Sequence, residues 1–171
     1  MPGYLAIILH AHLPFVRHPE YEKFLEESWL FEAITETYLP LLQIMSGWHR
    51  DGMEPRLTLT LSPTLCVMLR DPLLKERYAR HLDRLLELAE KERHRTHWEP
   101  AFQELAAMYH QRLTVARDAY LATGGDVVGA FRRFQDLGKL EIITTAATHA
   151  LLPLMANHPP SVRAQILLAC D

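Results

Sequence analysis

Tyr4-Leu5-Ala6-Ile7-Ile8-Leu9, followed at once by His10-Ala11-His12-Leu13-Pro14, is the stretch that decides the fold. An uninterrupted apolar run with two isoleucines predicts a strand that is buried on both faces, as in a parallel sheet. Side chains alternate along a strand, so His10 and His12 leave it on the same side. Pro14 lacks the N–H that sheet pairing needs, so the strand is expected to end near it. Two imidazoles are therefore predicted at the carboxyl end of a buried strand, where α/β proteins bind ligands.

Two further strands are predicted along the chain. Leu57–Leu61 alternates leucine with threonine, so its leucines should face the core while the threonines share the other face with Ser62. Residues 140–145 have the β-branched character of a third strand. The polar residues that fall at the three strand ends are His10 and His12, then Thr60 and Ser62, then Thr148 and His149.

Helices are predicted between the strands. The spacing of apolar residues from Leu30 to Trp48 indicates a helix that Pro40 should kink, with Gly52 after it. Asp71-Pro72 is typical of a helix start, and residues 71–121 are helical in character, with a solvated charged run between two helices.

Two shorter helices are predicted towards the end of the sequence. Residues 126–137 indicate one that ends before Gly138, and residues 162–168 indicate another with Ser161 as its N-cap. The element order is therefore βα, then β with a long helical excursion, then βα, which indicates an α/β protein with a parallel sheet. Because three strands cannot close a barrel of about eight, the sequence predicts either a small open sheet or the front of a larger unit.

Composition excludes several classes of function. The chain has 171 residues and a formal net charge of −3, which does not suit a surface that must neutralise nucleic-acid phosphates. Two unpatterned cysteines favour the cytoplasm over a disulfide-bonded compartment. The N-terminus has no basic region of a signal peptide, and no apolar stretch approaches a membrane span, so no membrane partner is expected.

The candidate site is the sheet edge where the three strand ends are predicted to meet. Two kinds of ligand remain open for it, hydroxyl or phosphate groups and a metal ion. A neutral imidazole donates and accepts hydrogen bonds, so His10 and His12 can bind sugar hydroxyls or a phosphate. The same pair, with His149 as a third ligand, also suits zinc, although no acidic residue stands beside these histidines in the sequence. Trp29 either stacks on a sugar ring or belongs to the core. No glycine-rich phosphate loop and no G-x-S-x-G motif are present, so we expect no cofactor and no serine nucleophile.

Four segments of the sequence together resemble the opening of glycoside hydrolase family 57, and most of all its 1,4-α-glucan branching enzyme subgroup. The segments are residues 4–15, 29–42, 59–65 and 140–154, and the resemblance extends over essentially the whole chain. It implies the N-terminal part of a (β/α)7 barrel and a retaining transfer of α-glucan through a glutamate nucleophile and an aspartate acid/base. It also implies that His10, His12 and His149 line the donor subsite and that Trp29 contacts substrate. Ser62, at the end of the second predicted strand, is expected to bind substrate in the same cleft.

The sequence departs from the family at its carboxylates. The nucleophile, in a Trp-Leu-Pro-Glu-like motif, is expected soon after the last residue, so residues 1–171 are predicted to form one partial catalytic domain that is inactive alone. The expected partners are an amylose- or glycogen-like glucan and the missing C-terminal half. Two alternatives stay open: a non-catalytic half-barrel that binds glucan or is completed by a partner, and a metal-dependent hydrolase or deacetylase.

Overall fold

Three parallel strands form one open sheet, in a structure (a computed structural model) that describes residue 3 and residues 5–170. The strands are β1 (Ile8–Ala11), β2 (Leu57–Leu61) and β3 (Leu140–Ile143), in the spatial order β1-β2-β3. The register pairs His10 with Thr60 and Thr60 with Ile143, so the carboxyl ends of all three strands lie at one edge. This confirms the predicted α/β class with three parallel strands.

Helices occupy most of the remaining chain. They are α1 (Glu27–Ala33), α2 (Leu39–Arg50), α3 (Pro63–Arg70), α4 (Pro72–Arg95), α5 (Pro100–Ala122), α6 (Val127–Asp136) and α7 (Pro159–Cys170), with a 3-10 turn at Leu152–Met155. Helices α3 to α6 all lie between β2 and β3, which is the predicted helical excursion. Among the helices of the described residues, none has both the length and the apolar character that crossing a bilayer requires.

The predicted interruption at Pro40 takes the form of a π-helical turn. Ile34–Tyr38 separates α1 from α2 and immediately precedes Leu39-Pro40. Proline has no N–H to donate to the carbonyl four residues earlier, so the regular hydrogen-bond ladder cannot pass through this position. The chain keeps its helical direction by widening for one turn.

Capping residues explain where several helices begin. The Asp71 side chain accepts a hydrogen bond from the Leu74 N–H at 3.0 Å, and Asp126 accepts one from the Gly129 N–H at 2.9 Å, as an N-cap does. Helix α3 was not predicted: from the sequence, Pro63 indicates only the end of the second strand, since proline lacks the N–H for sheet pairing, whereas in the structure it starts α3. The prediction for α7 was wrong at its start, since the helix begins at Pro159 rather than after a Ser161 cap.

The core lies on one side of the sheet. The leucines of β2 face a single buried cluster that also contains residues of α2, α3, α4 and α6. Its largest fully buried members include Tyr78 and Phe131, which lie on α4 and α6. The predicted inward orientation of the β2 leucines is thereby confirmed.

The prediction that β1 is buried on both faces was wrong. Leu5, Ile7 and Ile8 have exposed fractions of 86%, 45% and 65%, and the strand begins only at Ile8. The physical reason is that, among the described residues, the core covers only the face of β1 that carries Leu9 and Ala11, so the face with Ile8 is left uncovered. Tyr4, which the sequence placed in this strand, lies outside the described residues.

The spacing of Phe102, Leu105, Tyr109, Leu113 and Tyr120 in the sequence predicts an amphipathic helix with these residues on its buried face, and for the first half of α5 this was wrong. Phe102, Leu105 and Tyr109 are exposed, whereas Ala106, Ala116 and Tyr120 are buried. Helix α5 packs mainly along α4, and the larger apolar residues of its first half border an open groove with Leu85 and Leu88 of α4 instead of entering the closed core.

Candidate functional site

Three histidine rings meet at the carboxyl edge of the sheet. The centroids of His12 and His149 are 4.3 Å apart with the rings nearly parallel, at 19°. The centroid of His10 lies 4.8 Å from that of His149 and 6.3 Å from that of His12. His10 and His149 are exposed and His12 is half-buried, so the three rings present an open polar surface. The structure thus brings together His10 of β1, His12 directly after it and His149 from the segment after β3.

Ser62 contacts the His12 ring directly. Its Oγ lies within hydrogen-bond distance of His12 Nδ1, at 2.8 Å, and accepts a hydrogen bond from the Leu65 N–H at 3.3 Å. The Ser62 side chain is fully buried, because β2 ends at Leu61 and Pro63 starts α3 directly after it. The same hydroxyl therefore caps α3 and contacts the His12 ring.

His149 has an unusual backbone conformation. Its φ is 57°, in the left-handed region that residues other than glycine adopt uncommonly. Its N–H donates to the Ala146 carbonyl at 2.7 Å, which closes a tight turn before the histidine. Such strain costs on the order of 1–3 kcal/mol and persists only where the surroundings hold it.

The turn before His149 is held by α3. Both the N–H and the Oγ1 of Thr64 donate to the Ala147 carbonyl, at 3.3 and 2.9 Å. Ala147 itself is buried. The neighbouring Thr148, which sequence reasoning grouped with the site, instead pairs its side chain and its N–H with Gln165 of α7.

The electrostatics of the trio favour a neutral His12. Partial burial lowers its pKa first, and the charges that His149 and His10 would carry lower it further. A neutral ring keeps one N–H donor and one acceptor nitrogen, which suits a ligand rich in hydroxyl groups. The group of rings can therefore exchange hydrogen bonds with an uncharged polyol.

Trp29 lies apart from these contacts. It is on α1 with an exposed fraction of 46%, on the side opposite the buried Leu30 and Phe31. None of the ring–ring contacts in the described residues joins it to the histidines. Of its two predicted roles, a core position does not fit this exposure.

Among the described residues, the three histidines have no acidic ion-pair partner and belong to no metal-binding cluster. Within residues 5–170, no ion pair involves His10, His12 or His149. No group of three or more His, Cys, Asp or Glu side chains in this part of the chain is arranged to hold a metal ion.

A buried ion pair behind the site was missed by sequence reasoning. Arg77 of α4 donates to the carboxylate of Glu27 and to the backbone carbonyls of His18 and Tyr21. Both side chains are more than nine-tenths buried, so this contact fixes the loop between β1 and α1 against the helical excursion. In the sequence, Glu27 is one of two adjacent glutamates, and glutamates are so rarely buried that its burial could not be predicted.

Comparison with known proteins follows this geometry. The family model described as Glycosyl hydrolase family 57 matches residues 6–170. Among curated proteins, the chain is 34% identical over 166 residues to the 1,4-alpha-glucan branching enzyme TK1436 of Thermococcus kodakarensis, covering 97% of this chain and 24% of that protein.

Solved structures give the same picture. The alpha-amylase AmyC of Thermotoga maritima is 46% identical with a TM-score of 0.92, covering 99% of this chain and 32% of AmyC. A GH57-type branching enzyme of Pyrococcus horikoshii is 32% identical with a TM-score of 0.90, covering 98% of this chain and 31% of the enzyme. The chain therefore spans about a quarter of the curated relative and about a third of these solved structures.

Proposed function

Because this chain belongs to glycosyl hydrolase family 57, we propose that it is the N-terminal part of a retaining α-glucan transfer enzyme of the 1,4-α-glucan branching type. The proposed domain is a single partial catalytic domain over residues 1–171. The observation that carries the proposal is the convergence of His10, His12 and His149 on one exposed surface at the carboxyl edge of the sheet. In α/β enzymes this edge is where substrates bind.

The proposed role of the three histidines is to bind hydroxyl groups of a glucose unit. Three rings at different angles offer donors and acceptors in several directions, and the depressed pKa of His12 favours its neutral form. In this proposal Ser62 acts by orienting His12, and the exposed indole of Trp29 stacks on a neighbouring sugar unit.

We further propose that this chain alone does not transfer glucan. A retaining transfer needs two carboxyl groups about 5–5.5 Å apart on either side of the bond that breaks. No ion pair in residues 5–170 brings a carboxylate to the three rings. The described residues would then supply binding and orientation, while the nucleophile and the acid/base come from outside them.

Branching is the proposed activity of the complete enzyme, with α-1,4 chains passed to a 6-hydroxyl. The names of the curated relative and of the Pyrococcus horikoshii structure support branching, whereas the AmyC structure is named an alpha-amylase. A third solved structure, TK1436 in complex with glucose and additives, is 33% identical with a TM-score of 0.83, covering 90% of this chain and 27% of TK1436. It supports glucose as the sugar unit.

The test of the binding role is a titration of the 171-residue chain with a linear α-1,4 maltooligosaccharide, followed by NMR of the histidine ring protons. We expect the signals of His10, His12 and His149 to shift together. Replacing His12 with alanine should weaken binding about tenfold, as expected for the loss of one or two hydrogen bonds. His97→Ala, on the exposed turn between α4 and α5, is the matched control and should change nothing.

A second assay tests the catalytic part of the proposal. Incubation of the chain with amylose should produce no new α-1,6 linkages and no new reducing ends. Robust branching by the isolated chain would show that its own carboxylates suffice for transfer. That result would contradict the proposal that the nucleophile and the acid/base come from outside the described residues. An unchanged histidine spectrum at saturating oligosaccharide would contradict the binding role.

A non-catalytic half-barrel is a second candidate, supported by exposed apolar side chains. Leu5 near β1 and Leu154 beside α7 have exposed fractions of 86% and 77%, and such surface favours a covering partner. Sedimentation of the chain as a monomer with no tendency to associate would argue against the need for a partner.

The metal-dependent alternative is tested by metal analysis. Purified protein that carries no stoichiometric zinc, before and after zinc addition, would remove the hydrolase alternative.

We propose the cytoplasm as the compartment, because Cys66 and Cys170 are both free thiols.

A further inference from the structure

The turn that carries His149 is held between two helices, α3 and α7. On one side, Thr64 at the start of α3 donates twice to the Ala147 carbonyl. On the other side lies α7, which begins ten residues after His149. A strained residue needs such support from both sides, because nothing in its own conformation favours it.

Gln165 makes the contact from α7 with both its side chain and its backbone. Its Oε1 accepts a hydrogen bond from the Thr148 N–H at 2.9 Å, and its Nε2 donates to Thr148 Oγ1 at 2.9 Å. Its backbone carbonyl accepts from the Ala147 N–H at 3.0 Å. Two consecutive N–H groups directly before His149 are thus bonded to one residue.

Helix α7 has little else that attaches it to this loop. None of its residues, 159–170, is fully buried, and Ile166, Leu167 and Leu168 are exposed. Its other hydrogen bond to the segment after β3 joins Thr144 Oγ1 to the Ala169 carbonyl, five residues before His149. Gln165 is therefore the contact through which α7 acts on the histidine.

We propose that Gln165 is a positioning residue that holds the His149 turn in its left-handed conformation and so keeps the His149 ring stacked on His12. Gln165 does not touch the sugar, and its effect passes through Thr148 and the backbone of the turn. The proposal deepens the function given above and rests on it in so far as the histidines bind glucan.

The test compares three variants with the natural chain. Gln165→Ala removes both side-chain hydrogen bonds. Gln165→Glu keeps an acceptor for the Thr148 N–H and offers a second oxygen to the Thr148 hydroxyl, so it should restore the natural behaviour. Arg163→Ala changes an exposed side chain on the same helix and is the matched control.

Two readouts report positioning without any ligand. In Gln165→Ala, the Thr148 amide should exchange with solvent at least about fivefold faster, which corresponds to one lost hydrogen bond. The pKa of His12 should rise towards its ordinary value of about 6.5, because its ring loses the cover and the charge of His149. The groups that face His12 are His10, His149 and Ser62, and only His149 is changed in position.

A third readout links positioning to binding. Affinity for the maltooligosaccharide should fall about fivefold in Gln165→Ala and recover in Gln165→Glu. If Gln165→Ala does not fold, Thr148→Val removes the hydroxyl contact while leaving the backbone N–H, and a smaller change in the same direction is expected.

The outcomes separate this proposal from the function on which it rests. Natural chain that binds no oligosaccharide overturns the proposed function, while the exchange and titration data still decide whether Gln165 positions His149. Natural chain that binds, together with a Gln165→Ala variant of unchanged exchange, titration and affinity, overturns the role of Gln165 and leaves the proposed function intact.

Discussion

At the scale of single residues, His149 combines an imidazole at the candidate site with a backbone that glycine would adopt more easily. Its φ of 57° places Cβ close to the following carbonyl, a conflict that costs about 1–2 kcal/mol for residues other than glycine. Its ring nevertheless stacks on His12. The strain is therefore offset by the contacts of the turn and is consistent with a functional position.

This strain predicts an order of stability between two variants that both lose the imidazole. His149→Gly should be more stable than His149→Ala by about 1 kcal/mol, because only glycine adopts the left-handed conformation without a steric penalty. Urea denaturation of both variants measures the difference. The same comparison at His97, on the exposed turn after α4, is the control. Equal stability of the two His149 variants would show that the turn relaxes when the ring is removed.

How far the sequence predicts the site also becomes clear at this scale. Alternation along a strand and the order of elements were enough to bring His10, His12 and His149 together. The roles of Ser62 and Gln165 were not predictable, because a cap depends on where α3 starts and the Gln165 contact joins residues 17 positions apart across a loop.

At the scale of elements, the presence of strands and helices could be predicted from the periodicity of apolar residues, whereas the burial of their side chains could not. The leucines of β2 were placed correctly because strict alternation puts all three on the one face that packs against the helices. The same reasoning failed for β1 and for the first half of α5, because burial depends on which neighbours cover an element. Proline and N-cap residues, whose effects are local, were the reliable signals, as at Pro40 and Asp71.

Asp71 allows the cap of α4 to be separated from its ion pair. The side chain caps α4 through the Leu74 N–H and also pairs with Arg17 at 2.6 Å. Asp71→Ala removes both and should lower the free energy of unfolding by about 1–2 kcal/mol. Asp71→Asn keeps the cap and removes the charge, so it should lose at most about 1 kcal/mol.

Urea denaturation of both Asp71 variants measures these losses. The matched control is Arg50→Ala, which removes an exposed ion pair with Asp51 and should have almost no effect. If Asp71→Asn proved as damaging as Asp71→Ala, the ion pair with Arg17 rather than the cap would stabilise this end of α4.

At the scale of the whole molecule, the helical excursion must be attached to the sheet in a fixed orientation for the site to be preorganised. Helix α6 packs on β3, and α3 packs on α4 and α6, within one core cluster that also holds the β2 leucines. The Glu27–Arg77 pair adds a polar attachment, because it joins α4 to α1 and to the loop that follows β1. That contact links the two halves of the described chain on either side of β2.

Removal of one partner from this buried pair should be far more damaging than removal of an exposed one. Glu27→Ala leaves the Arg77 guanidinium without its carboxylate, and we expect the free energy of unfolding to fall by about 3–5 kcal/mol. Glu76→Ala, which breaks the exposed pair with Arg80 on the same helix, should cost less than about 0.5 kcal/mol. Urea denaturation gives both values. Exchange of the amides of residues 18–21 should also quicken in Glu27→Ala, since Arg77 bonds two carbonyls there. Equal costs for the two variants would mean that Arg77 reaches solvent once Glu27 is gone, and the loop would then depend on packing alone.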